Sequence, residues 1–181
     1  MQRMQRFCLT LLILACCFGC DQISKRVAQE KLQYQRPQSF LGNTFRLQYA
    51  ENTGAFLSLG SNLSKTTRMV LFTALSGGLL VALLLYILLN KELDRNHTFA
   101  LSLILGGGFS NLYDRIFNDG RVIDFMNMGI GSLRTGIFNW ADVVIMVGMG
   151  LIILLNFGSR KSSRGMNHSS GDSPEDLPRT S

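Results

Sequence analysis

Charge is almost absent from four long stretches of this chain, and that gap pattern restricts the fold more than any motif does. No ionisable residue other than cysteine or tyrosine falls between Arg6 and Asp21, between Arg68 and Lys91, or between His97 and Asp114, and only Asp142 falls between Arg134 and Arg160. A helix on the surface of a water-soluble domain needs a polar face every turn. Stretches without one belong in lipid, so the fold class expected is an all-α membrane protein. With 46% hydrophobic and 17% charged residues, the composition also argues against disorder. The four cysteines, Cys8, Cys16, Cys17 and Cys20, all lie in the first gap. That leaves none elsewhere for a disulfide framework or a zinc site, and they read as small residues on a lipid-facing helix. The net charge of +6 is scattered without the basic and aromatic interleaving of a nucleic-acid face, so no nucleic-acid partner is expected. Lys and Arg near span ends serve topology and contact with membrane lipid.

Four spans are expected. Phe7–Cys20 has 14 residues, about 21 Å of helix, too short for a hydrocarbon core of about 30 Å. The helix must therefore continue through Asp21 to Lys25. Met69–Leu89, Thr98–Tyr113 and Ile137–Phe157 supply the other three. An even number of spans puts both termini on one side. Arg3 and Arg6 before the first span, with Arg160, Lys161 and Arg164 after the last, mark that side as cytoplasmic. Between Pro37 and Asn52-Thr-Gly54, the segment Phe40–Tyr49 alternates well enough for a short strand or two with a turn. The expected domain is thus 1–158, with a small outer β-element at about 38–60, and a polar tail at 159–181 that reads as disordered. Ile13-Leu-Ala-Cys16 looks like a lipoprotein cleavage box, which makes a cleaved secretory segment the rival reading of the N-terminus. Asp21 and Lys25, four apart on one helix face, favour an intact helix.

Strongly polar residues gather at one end of these spans: Asp21 and Lys25, then Asn111, Asp114 and Arg115, then Asn139 and Asp142. Ionisable groups inside membrane segments are costly, about 2.5 to 3.5 kcal/mol on insertion scales, and are functional or paired. Asn111 with Asp114, and Asn139 with Asp142, are each three apart and share a helix face. Asp114 next to Arg115 reads as a structural ion pair. Asp142, about five residues inside an apolar run and without a basic neighbour, reads as an unpaired carboxylate. Asp124, in Gly120-Arg-Val-Ile-Asp-Phe125, is a second, 18 residues earlier. The two cannot share a helix face but can meet at the mouth of the bundle. Such a pair can activate water with one carboxylate and donate a proton with the other. The proton-relay carboxylates of a small transporter fit the spacing equally well. His97 and His168 read as solvated.

Taken in order, these stretches resemble the lipoprotein signal peptidases (signal peptidase II), membrane aspartic peptidases of bacteria. The resemblance rests on Asp21-Gln22-x-x-Lys25, Asn52-Thr-Gly54-Ala-Phe56, Gly107-Gly108-x-x-Asn111-Leu-Tyr-Asp114-Arg115, Val122-Ile-Asp124-Phe125 and Phe138-Asn139-x-Ala141-Asp142. It implies four membrane helices with a small extracytoplasmic β-cradle. The implied activity is removal of the signal peptide from a prolipoprotein, just before a cysteine that carries diacylglycerol. It implies Asp124 and Asp142 as the catalytic pair, and Asn52, Gly54, Asn111, Arg115, Asn139 and Ala141 as residues that shape or support the site. Asp21, Lys25 and Asp114 take structural roles. No metal or other cofactor is implied. The partners implied are the diacylglyceryl-prolipoprotein, membrane lipid and inhibitors of the globomycin type, in a bacterial inner membrane with the site facing the exterior. Two positions depart from the family pattern. Gly54-Ala-Phe-Leu-Ser58 replaces its usual Gly-Ala-Ala-Phe-Ser, and Ser110 stands where it has glycine, adding bulk at a helix contact.

Overall fold

The computed structural model describes residues 2–53 and 64–166. Four long helices are present: α1 (Arg3–Leu32), α2 (Lys65–Leu89), α3 (Arg95–Phe117) and α4 (Trp140–Met166). As the charge gap required, α1 runs unbroken through Asp21 and Lys25 for 30 residues. Among the described residues three helices are long and apolar enough to cross a membrane: α1, Met69–Leu89 of α2, and Trp140–Phe157 of α4. The remaining helix, α3, packs against each of the other three. Its buried face carries Thr98, Ser102, Ser110, Asn111 and Asp114 beside Ala100, Leu105, Gly106 and Gly107. Polar atoms there find partners on other helices, as Ser102 does with Thr10 Oγ1 at 3.0 Å.

Small residues let α3 sit so centrally. A Cβ on Gly106 would lie 2.9 Å from Cys17 Cβ on α1, and one on Gly107 would lie 2.5 Å from the Ala141 carbonyl oxygen on α4. On α4, Gly148 answers in kind, with a Cβ there meeting the Ala100 carbonyl at 2.7 Å. Cys17 is therefore buried against α3, contrary to the lipid-facing reading, whereas Cys8, Cys16 and Cys20 are exposed. Apolar packing fills the rest, in one cluster around Ile13, Cys17 and Val144 and another around Ile87, Leu93 and Leu105.

Four strands form one antiparallel sheet in the order β1 (Gln38–Phe40), β2 (Phe45–Asn52), β3 (Val122–Ile130) and β4 (Leu133–Arg134). The first two strands and the tight turn between them match the sequence expectation. The other two fall where only a loop was expected. Residues 54–63, including Gly54 and the departure at 54–58, lie outside the described residues. Asp119 and Gly120, with φ of 53° and 78°, turn the chain out of α3 and into β3. A bulge in β2 between Leu47 and Ala50 lies beside Asp124, the register partner of Ala50. The sheet packs on the last turns of α1 through Ala28, Leu32 and Phe125. At the other end, α4 begins at Trp140 rather than near Ile137, because Phe138 pairs with Met126 of β3. The helix then runs to Met166, past the expected boundary at 158.

Candidate active site

The carboxylates converge where the helix ends meet the sheet, and local capping sets the first of them. Asn139 immediately precedes α4. Its Oδ1 accepts from the Asp142 N–H at 3.0 Å, and its own N–H donates to Asp142 Oδ2 at 3.1 Å. This reciprocal pattern satisfies two of the four donors that a helix start leaves open. Asp142 thus lies in the first turn of α4, half-buried, and not deep in an apolar run.

The Asn139 side chain then ties the segments together. Its Nδ2 donates to Asp124 Oδ1 at 2.7 Å and to Asn111 Oδ1 at 3.0 Å. Asn111 in turn donates from Nδ2 to Asp142 Oδ1 at 2.9 Å. The expected local pairing of Asn111 with Asp114 is replaced by this contact across helices. Asn52, at the end of β2, donates to Asp124 Oδ2 at 3.1 Å. Two carboxylates from different elements are therefore joined through Asn139, whose side chain holds Asp124 and whose backbone N–H holds Asp142, with Asn111 bridging Asn139 to Asp142. Asp124 is 2% exposed. Burial, reinforced by the Asp142 charge, pushes its carboxyl up to about 6, against the lowering effect of the Asn52 and Asn139 amides.

Behind this layer lies a buried ion cluster. Lys25 Nζ is 2.6 Å from Asp21 Oδ2, 2.8 Å from Asp114 Oδ2 and 3.0 Å from Asn111 Oδ1. Asp21 Oδ1 accepts from the Ala141 N–H at 2.8 Å, so a carboxylate on α1 caps the start of α4. Asp114 accepts from Gln22 Nε2 at 2.8 Å and from the Ile123 N–H at 3.3 Å. The partner of Asp114 is Lys25, and the expected ion pair with Arg115 is not formed. Successive residues on a helix point about 100° apart, which turns Arg115 away from its neighbour. Arg115 Nη1 donates to the Asn111 carbonyl at 3.2 Å, and its charge acts on Asp142, Asp124 and Asp114. Asp142 is therefore not isolated from positive charge.

Two members of the cluster, Gln22 and Ser110, carry no site role in the sequence reading. Ser110 donates to Asp21 Oδ2 at 2.7 Å and accepts from Gln22 Nε2 at 3.0 Å, so the extra atoms at this position complete the network instead of crowding a helix contact. The available signal was spacing, since Ser110 lies four residues before Asp114 on the same face. His97 is also less solvated than expected. It sits in the first turn of α3, with Nδ1 2.8 Å from Asp94 Oδ1. His168 lies outside the described residues.

Helices of this length and hydropathy, around an acidic cluster held by carboxamides, define a helical membrane protein with a polar site at one end of its bundle. The signal peptidase II family model matches residues 13–157, and the chain belongs to that family, which makes it a protease. A lipoprotein signal peptidase of Borrelia duttonii is 35% identical over 71% of this chain and 76% of its own length. One from Treponema denticola is 32% identical over 86% of this chain and 94% of its own. One from Francisella tularensis subsp. novicida is 32% identical over 89% and 96%. A bacterial membrane enzyme solved by the in meso method superposes with a TM-score of 0.70 at 25% identity, over 81% of this chain and 90% of that one.

Proposed function

We propose that the chain removes signal peptides from prolipoproteins, cutting on the N-terminal side of a diacylglyceryl-modified cysteine, with Asp124 and Asp142 as its catalytic pair. The observation that carries this reading is that Asn139 donates to both carboxylates, from its side chain to Asp124 and from its backbone N–H to Asp142, while Asn111 links the two asparagines' network to Asp142. With one proton between them, the ionised member takes a proton from water while the neutral one donates to the scissile carbonyl. Hydroxide adds to the carbonyl carbon, the C–N bond breaks, and the departing cysteine nitrogen takes up a proton from the pair. Asn52, Asn111, Asn139 and Ala141 support the carboxylates, and Arg115 steadies negative charge as it develops. Asp21, Lys25 and Asp114 serve as the frame beneath them. Gly54 is assigned to the site by its position in the family motif alone.

In this reading α3 is a fourth span, its polar groups screened by the other three helices. Both termini are cytoplasmic, and the sheet and carboxylates face the exterior. A lipidated cysteine stays in the bilayer, so its peptide bond must be cut at the membrane edge, where the polar helix ends lie. Incubation of the full chain with a diacylglyceryl prolipoprotein should release the signal peptide, and globomycin should block it. Asp124→Asn and Asp142→Asn should each lower turnover by about 10³-fold or more while the protein inserts normally. Undiminished turnover in either variant would overturn the dyad.

A further inference from the structure

Helix α3 is the floor of a groove that its neighbours leave open. Among the described residues α2 and α4 each pack on α3 but not on each other. Between them, His97, Leu101, Ile104, Gly108, Leu112 and Arg115 follow at intervals of three or four and are all half-buried, which makes them one stripe of the helix surface. The stripe has α4 on one side, where Ile104 abuts Gly148, and α2 on the other, where Leu80 abuts Gly108. On α3 His97 lies 14 residues before Asn111, and on α4 Asn156 lies 14 residues after Asp142. That is just under four turns, so each pair shares a helix face with its members about 21 Å apart. The groove therefore runs from the carboxylate end of the bundle to a cavity at the other end.

That cavity, of about 380 Å³, is lined by Tyr86 and Asn90 at the end of α2, by Glu92, Asp94 and His97 around the start of α3, and by Asn156 of α4. Its two carboxylates are open to a cation. Asp94 caps α3, with Oδ1 accepting from the His97 N–H at 2.7 Å and lying 2.8 Å from His97 Nδ1. Those two contacts hold its carboxyl below the usual carboxylate range, and Oδ2 has no partner among the described residues. Glu92 is exposed, and its carboxylate forms no ion pair there. The basic neighbours Lys91 and Arg95 do not line this cavity, and Arg95 faces a separate one with Gln5 and Leu9 of α1. Along the groove the walls are apolar instead. Leu79, seven residues before Tyr86, and Met149, midway between Asp142 and Asn156, are 64% and 52% exposed.

An apolar track with carboxylates at its far end matches one segment of the proposed substrate. A signal peptide carries an apolar stretch of about 7 to 15 residues preceded by Lys or Arg, and such a stretch is about 10 to 22 Å of helix. Its basic end stays on the cytoplasmic side. With the scissile bond at Asp124 and Asp142, that end reaches the cavity. A phospholipid in the groove would instead set its phosphate against the two carboxylates.

We propose that the cavity at Glu92 and Asp94 binds the basic N-terminal residues of the signal peptide, while the apolar helix that follows them lies on α3 between α2 and α4. The inference rests on the peptidase reading. The test is cleavage, by the full chain, of three diacylglyceryl prolipoproteins that differ only in carrying Lys, Gln or Glu at those N-terminal positions. Wild type should show its lowest KM for the Lys form and the same kcat for all three, because the contact is made equally before and during the reaction. Glu92→Lys should raise KM for the Lys form about fivefold or more, leave that for the Gln form within about twofold, and lower that for the Glu form. Asp94→Asn, which keeps an N-cap, should raise KM for the Lys form as well. A wild-type KM indifferent to the three substrates, or a Glu92→Lys effect equal on all of them, would overturn this site and leave the peptidase reading standing. No cleavage of any form would refute the peptidase reading, and this site with it.

Discussion

Burial costs Asp124 its ordinary acidity. The carboxyl is pushed up to about 6, first by burial and then by the Asp142 charge. An acid whose pKa is raised by folding holds its proton more tightly in the native state than in the unfolded chain, where it titrates near 3.9. The associated stability is fully present below about pH 3.9 and is lost as pH rises through about 6, and it amounts to about 3 kcal/mol. Unfolding midpoints of the wild type should therefore fall, relative to those of Asp124→Asn, between about pH 4 and pH 6. Parallel profiles would mean that the buried acid costs the fold nothing. Asp124 and Asp142 could be singled out in the sequence as candidates because each lacks a charged partner in an apolar setting. The partner of Asp114 was not. The adjacent Arg115 suggested itself, but the real partner, Lys25, lies on α1, and no local pattern says which face of α1 meets α3.

Among the elements, α3 carries the sharpest constraint, because its consecutive glycines face different neighbours. A Cβ on Gly107 would press on the backbone carbonyl of Ala141 at 2.5 Å, whereas one on Gly108 would meet Cδ2 of Leu80, the far end of a flexible side chain. Gly107→Ala must therefore push the first turn of α4 away, and with it Asp142, whose 2.9 Å bond from Asn111 spans that gap. Gly108→Ala needs only a rotamer change. In the proposed mechanism Asp142 touches the reacting water, and displacements near 1 Å in such a group cost about 10²-fold. Turnover of Gly107→Ala should fall by about that factor at normal expression, and Gly108→Ala should stay within about threefold of wild type. Equal losses would show that helix spacing here does not govern the site. The spans were legible as charge gaps, but their ends were not. The start of α4 depends on Phe138 pairing with Met126, a contact with a distant strand. β3 escaped notice because Val122 through Phe125 are buried in succession, which erases the alternation that marks a half-exposed strand.

At the scale of the molecule, two polar clamps hold the bundle, one at each end. Arg6, 2% exposed, donates to the carbonyls of Ile87 at 3.3 Å, Lys91 at 3.4 Å and Leu93 at 3.1 Å, and also to that of Asn90. It thereby fastens the start of α1 to the end of α2 and the turn into α3, a structural task beyond the topological one its position suggests. The Lys25 cluster does the same work about 23 to 29 Å away along α1. The two clamps differ in what they touch. Lys25→Met leaves Asp21 and Asp114 facing one another in a buried site, at a cost of about 3 to 5 kcal/mol. It also removes the ammonium that donates to Asn111 Oδ1, so the hold on Asp142 loosens too. Asp114→Asn should be milder, because it leaves the Asp21–Lys25 pair electrically balanced. Arg6→Gln strands several carbonyls at the opposite end and should cost about 3 kcal/mol, yet nothing it touches reaches a site carboxylate. Unfolding midpoints should therefore drop for both Lys25→Met and Arg6→Gln, while turnover per folded molecule drops only for Lys25→Met. A matching loss of turnover in Arg6→Gln would mean that the α2–α3 turn and the carboxylates move as one body, and that the two clamps are a single mechanical unit.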